Sequence, residues 1–397
     1  MTPLEVASGW ITGSEGPAVS ESPDGVEGEH PLSALEKILR QALQRPPCVI
    51  SFSGGRDSSA LLAVAGHQAA REGLPRPIAV TNVYEGVPEA DETAWQEMVI
   101  RHLGVRDWER IQVGDRMDLL GSLAKESIRR HGLLWPVTAH TKSLVLEKAR
   151  GGTLITGEGG DELFGPHRIT PIAALAARRV RPRRTAVRES LLALAPPPTR
   201  ALVIRRRVRA SHRRPWLRPL AQERFLDDIK RDAMAEPLWW DESVRALLFR
   251  RSFLIGKDTF DRIAEFHGAR YLYPYLAPSF VSSFAEWGGK LGIPSRTAAM
   301  EALFGRILPM QLIRRKTKAE FVGAVFGPHC RDFVRSWRGD GIDAEMVDPE
   351  ALRETWDGHR PHAGSLLLLQ SAWHHSIDTT QSCVKKGACQ EGKPLTG

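Results

Sequence analysis

Leucines at positions 32, 35, 39 and 43 fall on one stripe of a helix over residues 30–43, and Pro46 and Pro47 stop it. Apolar runs then alternate with amphipathic stretches. The pattern predicts strands at 48–52, 77–83 and 108–113, and a short glycine-flanked strand at 153–156. Between and after them it predicts helices at 58–71, 90–103, 117–130 and 142–149. Strands alternating with helices imply an α/β protein whose parallel sheet is sandwiched by helices, with ligands bound beyond the carboxyl ends of the strands. From residue 171 the pattern changes to helical segments rich in Ala, Leu and Arg, broken at Pro196, Pro197 and Pro198, so the C-terminal half is expected to be mostly helical. The chain divides accordingly. Residues 1–30, rich in Gly, Ser, Pro and Glu, read as a flexible lead-in, and 31–170 as the α/β part. An Arg-rich helical insertion over 171–240, a helical part over 241–376 and a disordered tail over 377–397 follow.

Composition narrows the class. The chain has 397 residues, 42% hydrophobic and 26% charged, as a globular protein with a sizeable core does. Its apolar runs are shorter than the roughly 20 residues a membrane helix needs. Residues 1–16 have no basic stretch followed by an apolar one, so a cytoplasmic protein is expected. The four cysteines, Cys48, Cys330, Cys383 and Cys389, show no Cys-x-x-Cys spacing, which argues against a zinc knuckle or a disulfide framework. The net charge of +8 is unevenly spread: residues 178–218 hold 14 arginines and one acid, Glu189. Such a stretch is either the footprint of an anionic partner, for instance an acidic peptide or protein, or a solvated helix surface.

The candidate chemistry begins at Val49-Ile50-Ser51-Phe52-Ser53-Gly54-Gly55-Arg56-Asp57-Ser58-Ser59, a strand, a glycine turn and a helix start. Gly54 and Gly55 let backbone N–H groups wrap an anion, Ser53, Ser58 and Ser59 add hydroxyls, and the helix N-terminus adds positive charge. Asp57 repels phosphate and makes sense as a ligand for Mg²⁺ bridging to it. The loop is neither a Walker A motif nor a dinucleotide fingerprint. A second strand-and-turn follows at Thr153-Leu154-Ile155-Thr156-Gly157-Glu158-Gly159-Gly160-Asp161-Glu162-Leu163-Phe164-Gly165. In a parallel sheet it opens on the same edge as the first, so Asp57 and Asp161 can share Mg²⁺ on a triphosphate.

The first loop resembles that of the ATP pyrophosphatase, or PP-loop, superfamily, with its adenine nucleotide α-hydrolase-like fold. The second resembles the Gly-Glu-Gly-x-Asp-Glu-x-Phe-Gly motif of the asparagine synthetase family. That resemblance implies ATP cleaved between its α- and β-phosphates, a carboxylate activated as its adenylate, and an amide formed with an amine. Ser53, Gly54, Gly55, Asp57, Ser58, Ser59, Gly157 and Gly159 would hold the nucleotide, and Asp57 and Asp161 the Mg²⁺. Glu158 stands where synthetases of the family have a glutamate that handles the amine and the adenylate; β-lactam synthetases, relatives on this fold, usually carry tyrosine. Ala90-Asp91-Glu92, then Ala94 and Trp95 on a helix ending His102-Leu103-Gly104, resembles the family's second nucleotide-side segment. Gly268-Ala269-Arg270, then Pro274-Tyr275-Leu276, resembles its Glu-Ala-Arg-x-Pro-Phe-Leu-Asp segment, with extra residues after Arg270 and Ala277 in place of Asp.

Leu308-Pro309 followed by Arg315-Lys316-Thr317-Lys318-Ala319-Glu320-Phe321 resembles the loop bearing the catalytic lysine. Lys318 keeps the family's spacing to Phe321 and is preferred over Lys316. The resemblance spans residues 32–373, within one synthetase-like domain over 31–376. A narrower likeness to lasso-peptide cyclases, members of the same family, lies in residues 52–62 and 317–321. Thr2 follows Met1 and about 45 residues precede the first loop, so no Cys-initiated glutaminase domain is expected. The amine would be free ammonia, ammonia from a separate glutaminase, or a group on the substrate. The leading expectation is an ATP-dependent amide ligase, either a lactam- or isopeptide-forming cyclase or a stand-alone asparagine synthetase acting on aspartate. A PP-loop enzyme that modifies nucleic acid and a binding module that has lost catalysis are lesser alternatives.

Overall fold

In the computed structural model, which describes residues 1–16, 28–179, 181–211, 213–317, 319, 321–358 and 360–377, five short strands build one sheet. They are β1 (Cys48–Ser51), β2 (Ile78–Val83), β3 (Trp108–Gln112), β4 (Thr153–Ile155) and β5 (Arg270–Leu272), in the order β3-β2-β1-β4-β5. Every pairing is parallel. Parallel neighbours need crossovers, and helices supply them. The chain runs α1 (Pro3–Ser8), α2 (Pro31–Leu43), α3 (Arg56–Glu72), α4 (Thr93–Leu103), α5 (Ser122–His131), α6 (Ser143–Lys148) and α7 (Gly160–Leu163). It continues through α8 (Thr170–Ala176), α9 (Arg184–Leu194), α10 (Pro197–Ser211), α11 (Pro219–Ala235), α12 (Trp240–Ala246), α13 (Arg251–Phe266), α14 (Pro278–Gly288) and α15 (Arg296–Phe304), with further short helices beyond.

Both faces of the sheet are covered, and residues alternate between them as the pleat requires. Cys48, Ile50, Ala79 and Ile155 face a core filled by α2, α3, α14 and α15, with Leu35, Leu61, Phe280 and Phe304 fully buried. Val49, Val80, Leu154 and Tyr271 face the other core, where Trp216, Phe225, Leu226, Phe260 and Trp356 pack. Helix α11, within the expected insertion 171–240, therefore builds the central core. The expected elements of residues 30–155 are present with shifted ends. The helix expected at 117–130 becomes a 3-10 turn at Gly114–Met117 and α5.

Two differences from the sequence pattern concern its edges. The lead-in is not loose throughout. Thr2 caps α1 while Glu5 returns a bond to the Thr2 amide, a capping box with Pro3 at the first helical position. The Trp216 indole donates to the Ala7 carbonyl (2.8 Å) and the Arg214 guanidinium to the Ser8 carbonyl (2.6 Å), so α1 is held on the core. Residues 17–27 of that stretch and 378–397 of the tail lie outside the described residues, while Ile377 still packs on the core. The second difference is β5. Tyr271 and Leu272, which follow Arg270, complete this fifth strand, pairing Arg270, Tyr271 and Leu272 with Thr153, Leu154 and Ile155.

No helix of the described residues is long and apolar enough to cross a membrane. The order β3-β2-β1-β4-β5 leaves a crevice where β1 feeds a crossover to one side and β4 lies on the other. Ligands of open parallel sheets bind at such a reversal.

Candidate active site

The two glycine loops leave β1 and β4, adjacent parallel strands whose register pairs Cys48 with Thr153 and Ile50 with Ile155. The loops therefore emerge side by side. In the first, Gly54 has φ +81°, and a Cβ there would meet Gln96 Cγ at 2.7 Å, so glycine is required both for conformation and for close approach to α4. The Gln96 amide donates to the Ser53 carbonyl (3.2 Å), and the Ser53 and Ser58 hydroxyls lie 3.1 Å apart. Gly55 starts α3 with no side-chain cap, so the first-turn N–H groups of a 17-residue helix remain available to an anion. Ser59 is buried at the same turn.

The second loop folds directly onto that turn. A Cβ at Gly157 would sit 3.2 Å from Asp57 Cβ, and one at Gly160 would sit 2.8 Å from Asp57 Cγ. Gly159 has φ +84° and presses on Leu276. The buried Tyr275 hydroxyl donates to the Asp57 carbonyl (3.0 Å), tying β5's outgoing turn to the same place. Phe164 packs edge-on against Tyr275, Phe284 and Phe304, which fixes the far end of the acidic turn.

Asp57 and Asp161 are brought together by a residue that the sequence pattern did not single out. Arg296, at the start of α15, bridges them: its guanidinium lies 2.5 Å from Asp57 Oδ2 and also contacts Asp161 Oδ1. Burial pushes the Asp57 carboxyl up, and Arg296 opposes that rise. Burial disfavours the Arg296 charge in turn, but the two carboxylates outweigh it and hold the guanidinium protonated. Asp57 Oδ1 is buried without a hydrogen-bond partner. An orphaned carboxylate oxygen beside a second carboxylate suits a hard cation. Among the described residues no group of three His, Cys, Asp or Glu gathers. Two carboxylates alone suit Mg²⁺, which keeps waters and phosphate oxygens as its other ligands.

Glu158 lies 3.2 Å from Lys142, another residue missed in the sequence. The segment before and after the expected lysine is anchored at both ends. Arg315 makes a two-pronged ion pair with Glu92 at the start of α4, both side chains under 10% exposed, and its guanidinium lies over the Trp95 ring at 4.6 Å. At the other end Phe321 packs on Tyr84, just past β2, with ring centroids 5.2 Å apart. Lys316 is exposed. Lys318 lies outside the described residues.

With both loops placed, the comparison with known families becomes informative. A model of the family described as asparagine synthase matches residues 32–376. The chain belongs to the asparagine synthase family. That membership makes it an ATP-dependent ligase with a carboxylate and an amine as the other substrates. A search of curated proteins found no match.

The Glu92–Arg315 pair gives a stability prediction for this family member. Arg315→Met leaves a buried carboxylate unpaired, which costs about 3–5 kcal/mol. Thermal unfolding should show a Tm several degrees lower, and the loop freed from α4 should lower turnover as well. An unchanged Tm would show that the pair holds nothing.

Proposed function

We propose that this ligase activates its acid as an adenylate, releasing pyrophosphate, and joins it to an amine carried by the substrate itself, closing a lactam or isopeptide. The observation that carries the first half is the convergence of Asp57 and Asp161 from two glycine loops beside the uncapped N-terminus of α3. The α3 amides and the Ser53 and Ser58 hydroxyls bind the pyrophosphate end of ATP. Asp57 and Asp161 would hold Mg²⁺, which would neutralise phosphate charge. Arg296 then supplies a fixed cation beside the phosphates. Lys318 stabilises the negative charge that builds on the α-phosphate as the carboxylate attacks. Glu158 takes the proton from the attacking amine, which then displaces AMP.

The second half rests on the acid side. Leu276 presses on Gly159 of the acidic loop, and the next residue, Ala277, has no charge where the family segment carries Asp. A free amino acid brings an ammonium that wants a carboxylate partner, and position 277 offers none. A tethered amine also reacts at high effective concentration.

Pyrophosphate release tests the proposal, comparing aspartate plus ammonium with synthetic peptides that carry both an amine and a side-chain carboxylate. Slow turnover of aspartate and faster turnover of a peptide is expected. Efficient asparagine formation at low millimolar ammonium would overturn the tethered-amine reading and leave a stand-alone asparagine synthetase.

A further inference from the structure

The Arg-rich stretch divides into two halves that behave differently. In α10 four of the five arginines are used internally: Arg207 pairs with Glu189 (2.8 Å), Arg205 with Glu223 and Asp227, Arg209 with Glu223, and Arg200 with Glu236, while Arg206 is exposed. The Arg205 and Arg209 pairs tie α10 to α11, and the Arg207 pair ties it to α9 and cancels the only acid of residues 178–218. The half before it is different. Arg178, Arg179, Arg181, Arg183, Arg184 and Arg188 are exposed and make no ion pair among the described residues.

Alongside these cations runs an apolar stripe. Val187, Leu191 and Leu194 of α9 stand at i, i+4 and i+7, one face of a helix, and are 41%, 65% and 58% exposed. Leu202 of α10 is also exposed. The C-terminal end of the helix bearing the stripe is tied to the body of the protein. The buried Arg168, three residues past the acidic loop, donates to the Ala193 carbonyl (2.8 Å), the Ala195 carbonyl (2.9 Å) and the Glu236 carbonyl (3.1 Å). A preset surface loses little entropy on docking.

We propose that this face of α9 docks an acidic amphipathic helix of a partner protein, its aliphatic side chains on Val187, Leu191 and Leu194 and its carboxylates on the surrounding arginines. Charge complementarity selects this occupant. A second copy of the chain would bring arginines against arginines. Nucleic acid has no use for an aliphatic stripe, and residues 178–211 contain no aromatic side chain for base stacking or for a membrane interface.

The test is fluorescence anisotropy with the full chain and a labelled helical peptide. The peptide has leucines at i, i+4 and i+7 and glutamates on the flanks. Controls are the same peptide with serines for leucines, phosphatidylserine vesicles, and poly(U). The leucine peptide should bind, more weakly as salt rises. The triple variants Arg183→Ser/Arg184→Ser/Arg188→Ser and Val187→Ser/Leu191→Ser/Leu194→Ser should each weaken binding about tenfold or more. Far-UV circular dichroism and ATP-dependent pyrophosphate release should be unchanged in both. No binding of the leucine peptide, equal binding of the serine peptide, tighter binding of vesicles or poly(U), or indifference to either triple change would each overturn the proposal.

Discussion

Asp57→Asn should lower pyrophosphate release by about 1000-fold while the far-UV circular dichroism stays that of the parent chain. The substitution keeps the side chain's shape but removes the charge that Arg296 and a cation both need. Asp57 is the better of the two acidic positions for this test. It is more buried than Asp161, it carries the unpartnered Oδ1, and the second loop packs on it through Gly157 and Gly160. Asp161→Asn should act in the same direction. Its carboxylate is about half exposed, so solvent can replace part of what the substitution removes. Steady-state assays over a range of Mg²⁺ concentrations check both. If Asp57→Asn retained normal turnover at limiting Mg²⁺, the two carboxylates would be structural partners of Arg296 and nothing more.

The second large effect belongs to the lysine loop. Lys318→Ala should reduce kcat about 100-fold with ATP KM little changed, because in the proposed mechanism the charge it would meet develops only as the α-phosphate is attacked. Lys316→Ala is the control, since Lys316 shares the loop and the charge but not the spacing to Phe321. The anchors on either side, Arg315 on Glu92 and Phe321 on Tyr84, are intact in both variants, so a loss confined to one of them identifies the lysine that acts. Loss with Lys316→Ala alone would move the register of the loop by two residues.

What the sequence showed of this site follows from where the signals are local. The two loops are contiguous strings: an apolar strand, glycines, and a carboxylate at fixed offset. Each could be read without knowing its neighbour. Arg296 could not. It lies 239 residues from Asp57, and an arginine opening a helix has nothing in its flanks that marks a bridge between two carboxylates. Glu92 and Arg315 are separated by 223 residues and present the same difficulty; Lys142 is nearer to Glu158 in sequence, but nothing in its flanks marks the pairing. Strand β5 was missed for a different reason. It has only three residues and begins with an exposed arginine, too short a run to mark a strand even though Tyr271 favours one. Helix α1 was legible in principle: Thr2, Pro3 and Glu5 spell a capping box that the Gly- and Ser-rich composition of residues 1–30 obscured. Fourteen arginines in one stretch suggested a single basic surface, but pairing partners that lie mostly outside that stretch, such as Glu223 of α11, separate the internal half from the exposed one.

The central claim is that a carboxylate oxygen attacks the α-phosphate of ATP between these two loops. Its most direct measurement uses an acid that supports turnover, prepared with ¹⁸O in the carboxylate, and follows the label by mass spectrometry. One labelled oxygen should appear in AMP, with pyrophosphate unlabelled. ADP together with labelled inorganic phosphate would contradict the account, because the acid would then have been activated at the γ-phosphate.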